Sequence, residues 1–237
     1  MLDRFDLTKK VVLITGGAGL LGVMHAEAIA EAGGTPVLLD LDLESTQDQA
    51  KEISKNFSSG CLALMGDVTN QESVKHALEE ILRKYGRVDV IINNAALNPK
   101  VQDGISSLNT NLENLDLDIL NKELEVGLTG SIIVSKIFGT YMAGQGKGVI
   151  INISSVARHG NFGQTNYSAT KAGVQSMAVV WAKELSKHGI RVNSIAPGFI
   201  NTEMVAGMPD HVKEGLGKMV PLGRIGEPDE VAKAAEF

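Results

Sequence analysis

Tyr167 and Lys171 stand four positions apart in TNYSATKAG, residues 165–173, in a chain with only three tyrosines. On a helix, residues four apart share a face, so the phenol and the ammonium project together. A free phenol ionises near pH ~10, and an adjacent cation favours the phenolate, which makes proton exchange easier near neutral pH. Tyr167 is therefore a candidate general acid or base. Upstream, INISS places Ser154 and Ser155 at the end of an apolar run, where a hydroxyl could hold a carbonyl oxygen. Side chains alternate along a strand, so the two serines cannot both face one site, and counting from the strand favours Ser155. A Tyr-x-x-x-Lys pair is also an ordinary surface pair, so the decision rests on what surrounds it.

The second stretch with chemical potential is TGGAGLLG, Thr15 to Gly22. Glycines permit a tight turn, and the amides of a following helix N-terminus can approach a pyrophosphate. Gly16, Gly19, Leu20, Leu21 and Gly22 are the candidate residues of that turn. Eighteen residues past Gly22, Asp40 closes the next apolar run. A carboxylate there accepts from both ribose hydroxyls of an adenosine and repels a 2′-phosphate, which predicts NAD over NADP. Two further run ends carry Asp67 and Val68 (GDV) and Asn93 and Ala95 (NNAA). Asp67 could accept from an adenine amino group, and Asn93 with its small neighbours would let backbone lie along a dinucleotide. Each of these is, on its own, also a plausible turn or cap residue.

The elements that must position these residues are apolar runs at 9–15, 36–40, 61–65, 88–93, 148–154 and 190–196. Most do not alternate, as expected of strands covered on both faces. Between them lie helical spacings: Leu21, Met24, Ala28 and Ala32 up to Gly33, then Val74, Ala77, Leu78 and Ile81. Strand alternating with helix predicts an α/β fold with a doubly wound, parallel, Rossmann-type sheet, as a single domain over 1–237. Ligands of such sheets bind outside the carboxyl ends of the strands, where every candidate above falls. The polar stretch 97–116 is expected as a long loop on that side, a substrate rim or a solvated excursion.

A net charge of −6 with no basic cluster argues against nucleic acid. The amino terminus has no apolar core of a signal peptide, and no uninterrupted apolar run is long enough to span a bilayer, so neither a membrane nor secretion is expected and the cytoplasm fits. Cys61 is expected to be a small buried side chain. The five histidines show no metal spacing, so no metal is predicted and all five are expected at the surface or behind the site. Arg158 and His159 could touch an anionic substrate group or be solvated loop residues. The segment 204–223, with spaced Met and Leu, suits a helical lid over a partly hydrophobic substrate or a plain packing helix.

In this order, TGGAGLLG, NNAA, INISS, YSATK and IAPGFINTEM closely resemble the short-chain dehydrogenase/reductase family over nearly the whole chain. The second half is most similar to ketoacyl-carrier-protein reductases, the first half to oxidoreductases of surface or flagellar sugar modification. The resemblance implies a nicotinamide cofactor, hydride exchange with a secondary alcohol or ketone as small-molecule substrate, and a homotetramer. It implies Tyr167 as proton donor in reduction, Lys171 on the nicotinamide ribose, Ser155 on the substrate oxygen, and Ile200 and Thr202 beside the nicotinamide. The chain departs from the family at Leu20, Ala96 and Gly127. At Gly127 the family carries an Asn that props a proton-relay water, and glycine is expected to leave room for that water without a dipole to hold it. The chain also stops at VAKAAEF, where relatives continue into a last strand. An alternative is a catalytically weak NAD-binding sensor or assembly subunit.

Overall fold

The six apolar runs become β1 (Val11–Thr15), β2 (Thr35–Asp40), β3 (Leu62–Met65), β4 (Val90–Asn93), β5 (Gly148–Ile153) and β6 (Ile190–Ile195). All pair in parallel, in the order β3-β2-β1-β4-β5-β6. A computed structural model of the 237-residue chain describes residues 5–97, 112–202, 205 and 209–236. The strand order reverses between β1 and β4, so the crevice beyond the ends of those two strands is the switch point.

Alternate strand residues feed two core layers. Leu13, Leu39 and Ile91 pack with Val74, Ile81, Val134, Phe138 and Met142 on one face, while Ile14, Leu38 and Ile92 pack with Ala26, Ile29 and Ile53 on the other. Each fully buried aliphatic side chain contributes about 1.5–3 kcal/mol. Coverage on both faces is why the runs lack alternation. β1, β3 and β4 begin one or two residues later than their apolar runs. Lys9 takes a left-handed backbone, φ 64°, before β1, and Asp89 turns its carboxylate onto the Val11 N–H at 3.0 Å before β4.

The connections hold α1 (Leu20–Glu31), α2 (Leu43–Asn56) and α3 (Gln71–Tyr85). Val74, Ala77 and Ile81 are buried on α3 as the spacing predicts, with Leu78 packed beside them. The α1 face differs from expectation: Ala28 and Ala32 are buried, but Leu21 and Met24 are only half-buried, and His25, Ala26, Ile29 and Ala30 are buried instead. The reason is a second neighbour, α8 (Pro228–Glu236), which packs along α1 while the sheet covers its other side. His25 is thereby corrected from surface to core, and its buried ring, without a hydrogen-bond partner at either nitrogen, has its pKa pushed down to about 4 by desolvation. Cys61 is half-buried rather than buried, and desolvation pushes its thiol up to about 12, which disfavours the thiolate.

α4 (Leu117–Leu124) runs through a π-helical segment, Glu125–Gly130, into α5 (Ser131–Gln145). This continuous 117–145 helix is long and apolar enough to cross a membrane by length and composition, yet half of its apolar window is buried within this fold, as for a core helix. α6 (Thr165–Leu185) carries Tyr167 and Lys171, and α7 (Asp210–Met219) follows β6. Of the expected loop, residues 98–111 lie outside the described residues, as do Met204 and Met208 of the expected lid.

Candidate active site

The turn after β1 is built by close approach. Gly16 has φ 64°, and a Cβ there would lie 2.9 Å from Ala95 Cα. A Cβ on Gly22 would lie 2.2 Å from the Gly16 carbonyl oxygen, so only glycine lets α1 start against the turn. Gly17 is equally confined, with a Cβ 2.7 Å from Leu38 Cβ. Gly19, at the N-cap of α1, and Leu20 are exposed, and Leu21 is half-buried. Leu20, where the family has glycine, opens the helix without distorting it.

Two residues outside the candidate set brace this turn. Thr15 Oγ1 accepts from the backbone N–H of Asn94 (3.1 Å) and of Ala95 (3.0 Å), and Asn94 Nδ2 donates to the carbonyls of Thr15 (3.0 Å) and Gly16 (3.1 Å). Their signal was a polar residue at each of two neighbouring strand ends. Asp40 reaches the same turn: Oδ2 accepts from Ala18 N–H (3.0 Å) and Oδ1 from Leu41 N–H (2.8 Å).

The other strand ends divide. Asn93 points its side chain inward, donating from Nδ2 to Ser135 Oγ and Asn152 Oδ1, both at 2.8 Å, so only its backbone faces the crevice end. Val68 is buried against Gly130. Asp67 Oδ1 accepts from Thr69 N–H (2.8 Å) and Oγ1 (2.7 Å), a turn role that leaves its other oxygen free of these bonds. Ala96 keeps a negative-φ backbone among the described residues, so the alanine in NNAA is unstrained. Ile200 bridges to Gly226, and its carbonyl accepts from Thr202 N–H at 2.8 Å.

Beyond β5 the serines part. Ser154 is buried and donates to the Lys171 carbonyl at 2.8 Å, tying the strand end to α6. Ser155 is half-buried, accepts from Ala157 N–H at 3.2 Å, and stands within hydrogen-bonding reach of the Tyr167 phenol. Lys171 is 5% exposed; its Nζ donates to the Ile153 carbonyl at 2.8 Å and lies 5.6 Å from the centre of the Tyr167 ring.

The electrostatics reverse the expected order. Desolvation raises the Tyr167 phenol above its ordinary value; the Ser155 hydrogen bond lowers it, and the charge of Glu123 raises it further. Lys171 itself is pushed down to about 8 by burial. The expectation of an unusually acidic phenol is thus corrected: burial of Tyr167 outweighs its hydrogen bond, and the neighbouring ammonium gives up part of its charge to the same burial.

Gly127 also departs from expectation. It sits in the π-helical segment, and the space beside its Cα is filled, because a Cβ there would lie 2.7 Å from Thr170 Cγ2. Its carbonyl accepts from Ser131 Oγ at 2.8 Å. One turn earlier stands Glu123, which sequence reasoning missed. It is 2% exposed, its Oε2 has no hydrogen-bond partner, and desolvation raises its carboxyl to about 7. The only available signal was its position four residues before Gly127, on the same helix face.

A glycine turn opening a helix, a carboxylate beside it and a Ser-Tyr-Lys cluster across the switch point thus share one sheet edge. The sequence profile of the family described as short chain dehydrogenase matches residues 10–213. The chain belongs to this family. It is an oxidoreductase of the short-chain dehydrogenase type, a family that works with a nicotinamide cofactor, and the glycine turn fits such a group because Gly16, Gly17 and Gly22, where a Cβ would strike Ala95, Leu38 or the turn itself, let the backbone draw tight at the start of α1. The chain is 37% identical to a 3-oxoacyl-[acyl-carrier-protein] reductase of Thermotoga maritima, covering 98% of this chain and 90% of that one. It is likewise 37% identical to the 3-hydroxyacyl-CoA dehydrogenase type-2 of Bos taurus, over 94% of this chain and 85% of that one. Among solved structures, a gluconate 5-dehydrogenase from Burkholderia cenocepacia superposes with a TM-score of 0.89 at 29% identity, over 100% of this chain and 90% of that one. These relatives are named as enzymes, and none supports the sensor alternative.

Proposed function

We propose that this short-chain dehydrogenase transfers hydride between NAD(H) and a secondary alcohol or ketone, either a 3-oxoacyl thioester or a sugar derivative. The observation that carries this reading is the Ser155–Tyr167–Lys171 cluster, with Ser155 in reach of the phenol and Lys171 on the same helix face. When bound, the nicotinamide supplies or accepts the hydride. Ser155 donates to the substrate oxygen and orients it. Tyr167 hands its proton to the nascent alkoxide; a phenol raised by burial is a neutral donor at neutral pH, and it is still far more acidic than an alcohol. Lys171 holds the ribose hydroxyls and, while protonated, stabilises the phenolate left behind.

Gly16, Gly19, Leu20, Leu21 and Gly22 would hold the pyrophosphate with backbone at the start of α1, and Asp67, Val68, Asn93 and Ala95 would line the adenosine and ribose from the strand ends. Ile200 and Thr202 would flank the nicotinamide. NAD is favoured over NADP by Asp40, whose carboxylate at the end of β2 would repel a 2′-phosphate. The gluconate 5-dehydrogenase neighbour carries NADP and tartrate, so the preference rests on Asp40 and not on kinship. The thioester reading draws on the relatives that reduce or oxidise 3-oxoacyl and 3-hydroxyacyl groups, the sugar reading on the gluconate enzyme. A homo-oligomer, a tetramer in particular, is supported by exposed Ile132 on α5 and Val179 and Val180 on α6.

The deciding experiment assays 3-oxoacyl thioesters, keto sugars and secondary alcohols with NADH/NAD and NADPH/NADP. Turnover that vanishes in Tyr167→Phe with dinucleotide binding intact is expected. Full activity in Tyr167→Phe overturns the reading.

A further inference from the structure

Two buried polar atoms without hydrogen-bond partners meet the α4–α6 contact: Oε2 of Glu123 and Nδ2 of Asn166. Their levels on the two helices coincide. α5 leads into β5 and α6 into β6, and these strands are parallel, so the two helical stretches run in the same direction. Gly127 lies against Thr170. One turn towards the N-terminus on each side brings Glu123 level with Asn166 and Tyr167. At that level the charge of Glu123 adds to the burial that raises the phenol.

We propose that Glu123 is the proton-exchange partner of Tyr167, a carboxyl standing in for the polar side chain that Gly127 lacks. The inference rests on the reading of Tyr167 as the group that protonates substrate. In reduction, Tyr167 loses its O–H proton to the substrate oxygen. The carboxyl O–H of Glu123 then breaks, its proton forms a new O–H bond on the phenolate oxygen, and the carboxylate left behind regains a proton from water. No electrons change hands beyond the hydride already counted. A water bridging Glu123 Oε2 and Tyr167 would find a third partner in Asn166 Nδ2.

Burial at 2% exposure keeps this carboxyl in its acid form up to near neutral pH, which is the form a donor needs. The titratable group that feels its charge from α6 is Tyr167, while Lys171 turns its Nζ to the Ile153 carbonyl. On its own helix the neighbours Lys122 and Glu125 are exposed. Glu123 acts through Tyr167 and so is a positioning residue of the proton path, without contact to substrate required.

The test uses Glu123→Gln, which keeps shape and removes the exchangeable acid, with Tyr167→Phe beside it. With acetoacetyl-CoA and a keto sugar as probes, Glu123→Gln should lower kcat for reduction on the order of a hundredfold, the low end of acid–base contributions, with KM and NADH affinity unchanged. The fall of wild-type kcat as pH rises through about 7 should be absent from the variant. A second readout needs no turnover. With Tyr85→Phe and Tyr141→Phe leaving Tyr167 as the one phenol, ultraviolet titration should show a lower phenol pKa once Glu123→Gln is added. Wild-type rate and pH profile in Glu123→Gln, or an unmoved phenol titration, overturns the proposal while an inactive Tyr167→Phe leaves the parent reading standing. An active Tyr167→Phe overturns both.

Discussion

Gly127 and Thr170 are in van der Waals register across the helix pair, with the threonine methyl in the place that a side chain at 127 would claim. Thr170 cannot easily yield, because it is buried and its Oγ1 donates to the Asn166 carbonyl at 3.0 Å. Restoring the family asparagine should therefore fail as a gain of function. Gly127→Asn is expected to lose about 1–3 kcal/mol of stability by overpacking. Gly127→Asn with Thr170→Ser, which removes the methyl and keeps the hydroxyl, should recover most of that loss in urea denaturation. A single variant as stable as the parent refutes the packing argument.

Thr15 is the pin of the dinucleotide turn. It is 2% exposed, and its one oxygen serves two backbone N–H groups of the β4 exit. Thr15→Val keeps the shape and leaves both donors without an acceptor, a cost of about 1–3 kcal/mol each where no water replaces it. Stability should fall by that order and NADH affinity with it, read by denaturation and by quenching or transfer fluorescence. Thr15→Ser should behave as the parent, and a Thr15→Val protein with unchanged affinity would show that the turn holds itself.

Asp40 offers a contrast between binding and fold. Its two oxygens each hold a backbone N–H at the rim of the site, and the proposed NAD preference rests on its charge. Asp40→Asn removes the charge and leaves one of the two N–H groups without an acceptor, so the ratio of NADPH to NADH dissociation constants should drop by roughly tenfold or more, about 1.4 kcal/mol, with a loss of stability of about 1–3 kcal/mol at most. An unchanged ratio places Asp40 outside cofactor choice.

How far these relations could be read in the sequence depends on where each partner lies. The strands were legible because burial on both faces writes itself as unbroken apolar runs, and alternation at the end of β5 foretold that the two serines would part. The face of α1 was not, since α8, supplied from the far end of the chain, covers a second side of it. Glu123 sits in NKELEV, a string that reads as a solvated helix face; α6, far along the chain, packs against that helix. The phenol's pKa was misjudged for the same reason. Spacing reveals that an ammonium is near, but it is silent on desolvation, which acts on Tyr167 and Lys171 alike.

That desolvation also sets how stability depends on pH. Burial raises the Glu123 carboxyl from an ordinary 4.5 to about 7 in the fold, so between these values the native state holds more protons than the unfolded one. Stability therefore falls as pH rises from 4.5 to about 7, and the penalty is complete above that, on the order of 3 kcal/mol. Lys171 has the opposite window. Its ammonium is disfavoured in the fold, so the unfolded state holds more protons between about 8 and 10.5, and stability recovers as pH rises there. His25, whose ring is lowered from 6.5 to about 4 by burial, opposes Glu123 between pH 4.5 and 6.5, so the carboxyl's window is read as the difference between parent and Glu123→Gln midpoints measured from pH 4.5 to 10. That difference should grow as pH rises towards 7 and leave Glu123→Gln the more stable at pH 7.5, with the alkaline rise intact in both. A variant no more stable than the parent at pH 7.5 would show that the carboxyl is solvated, whatever its position between the helices.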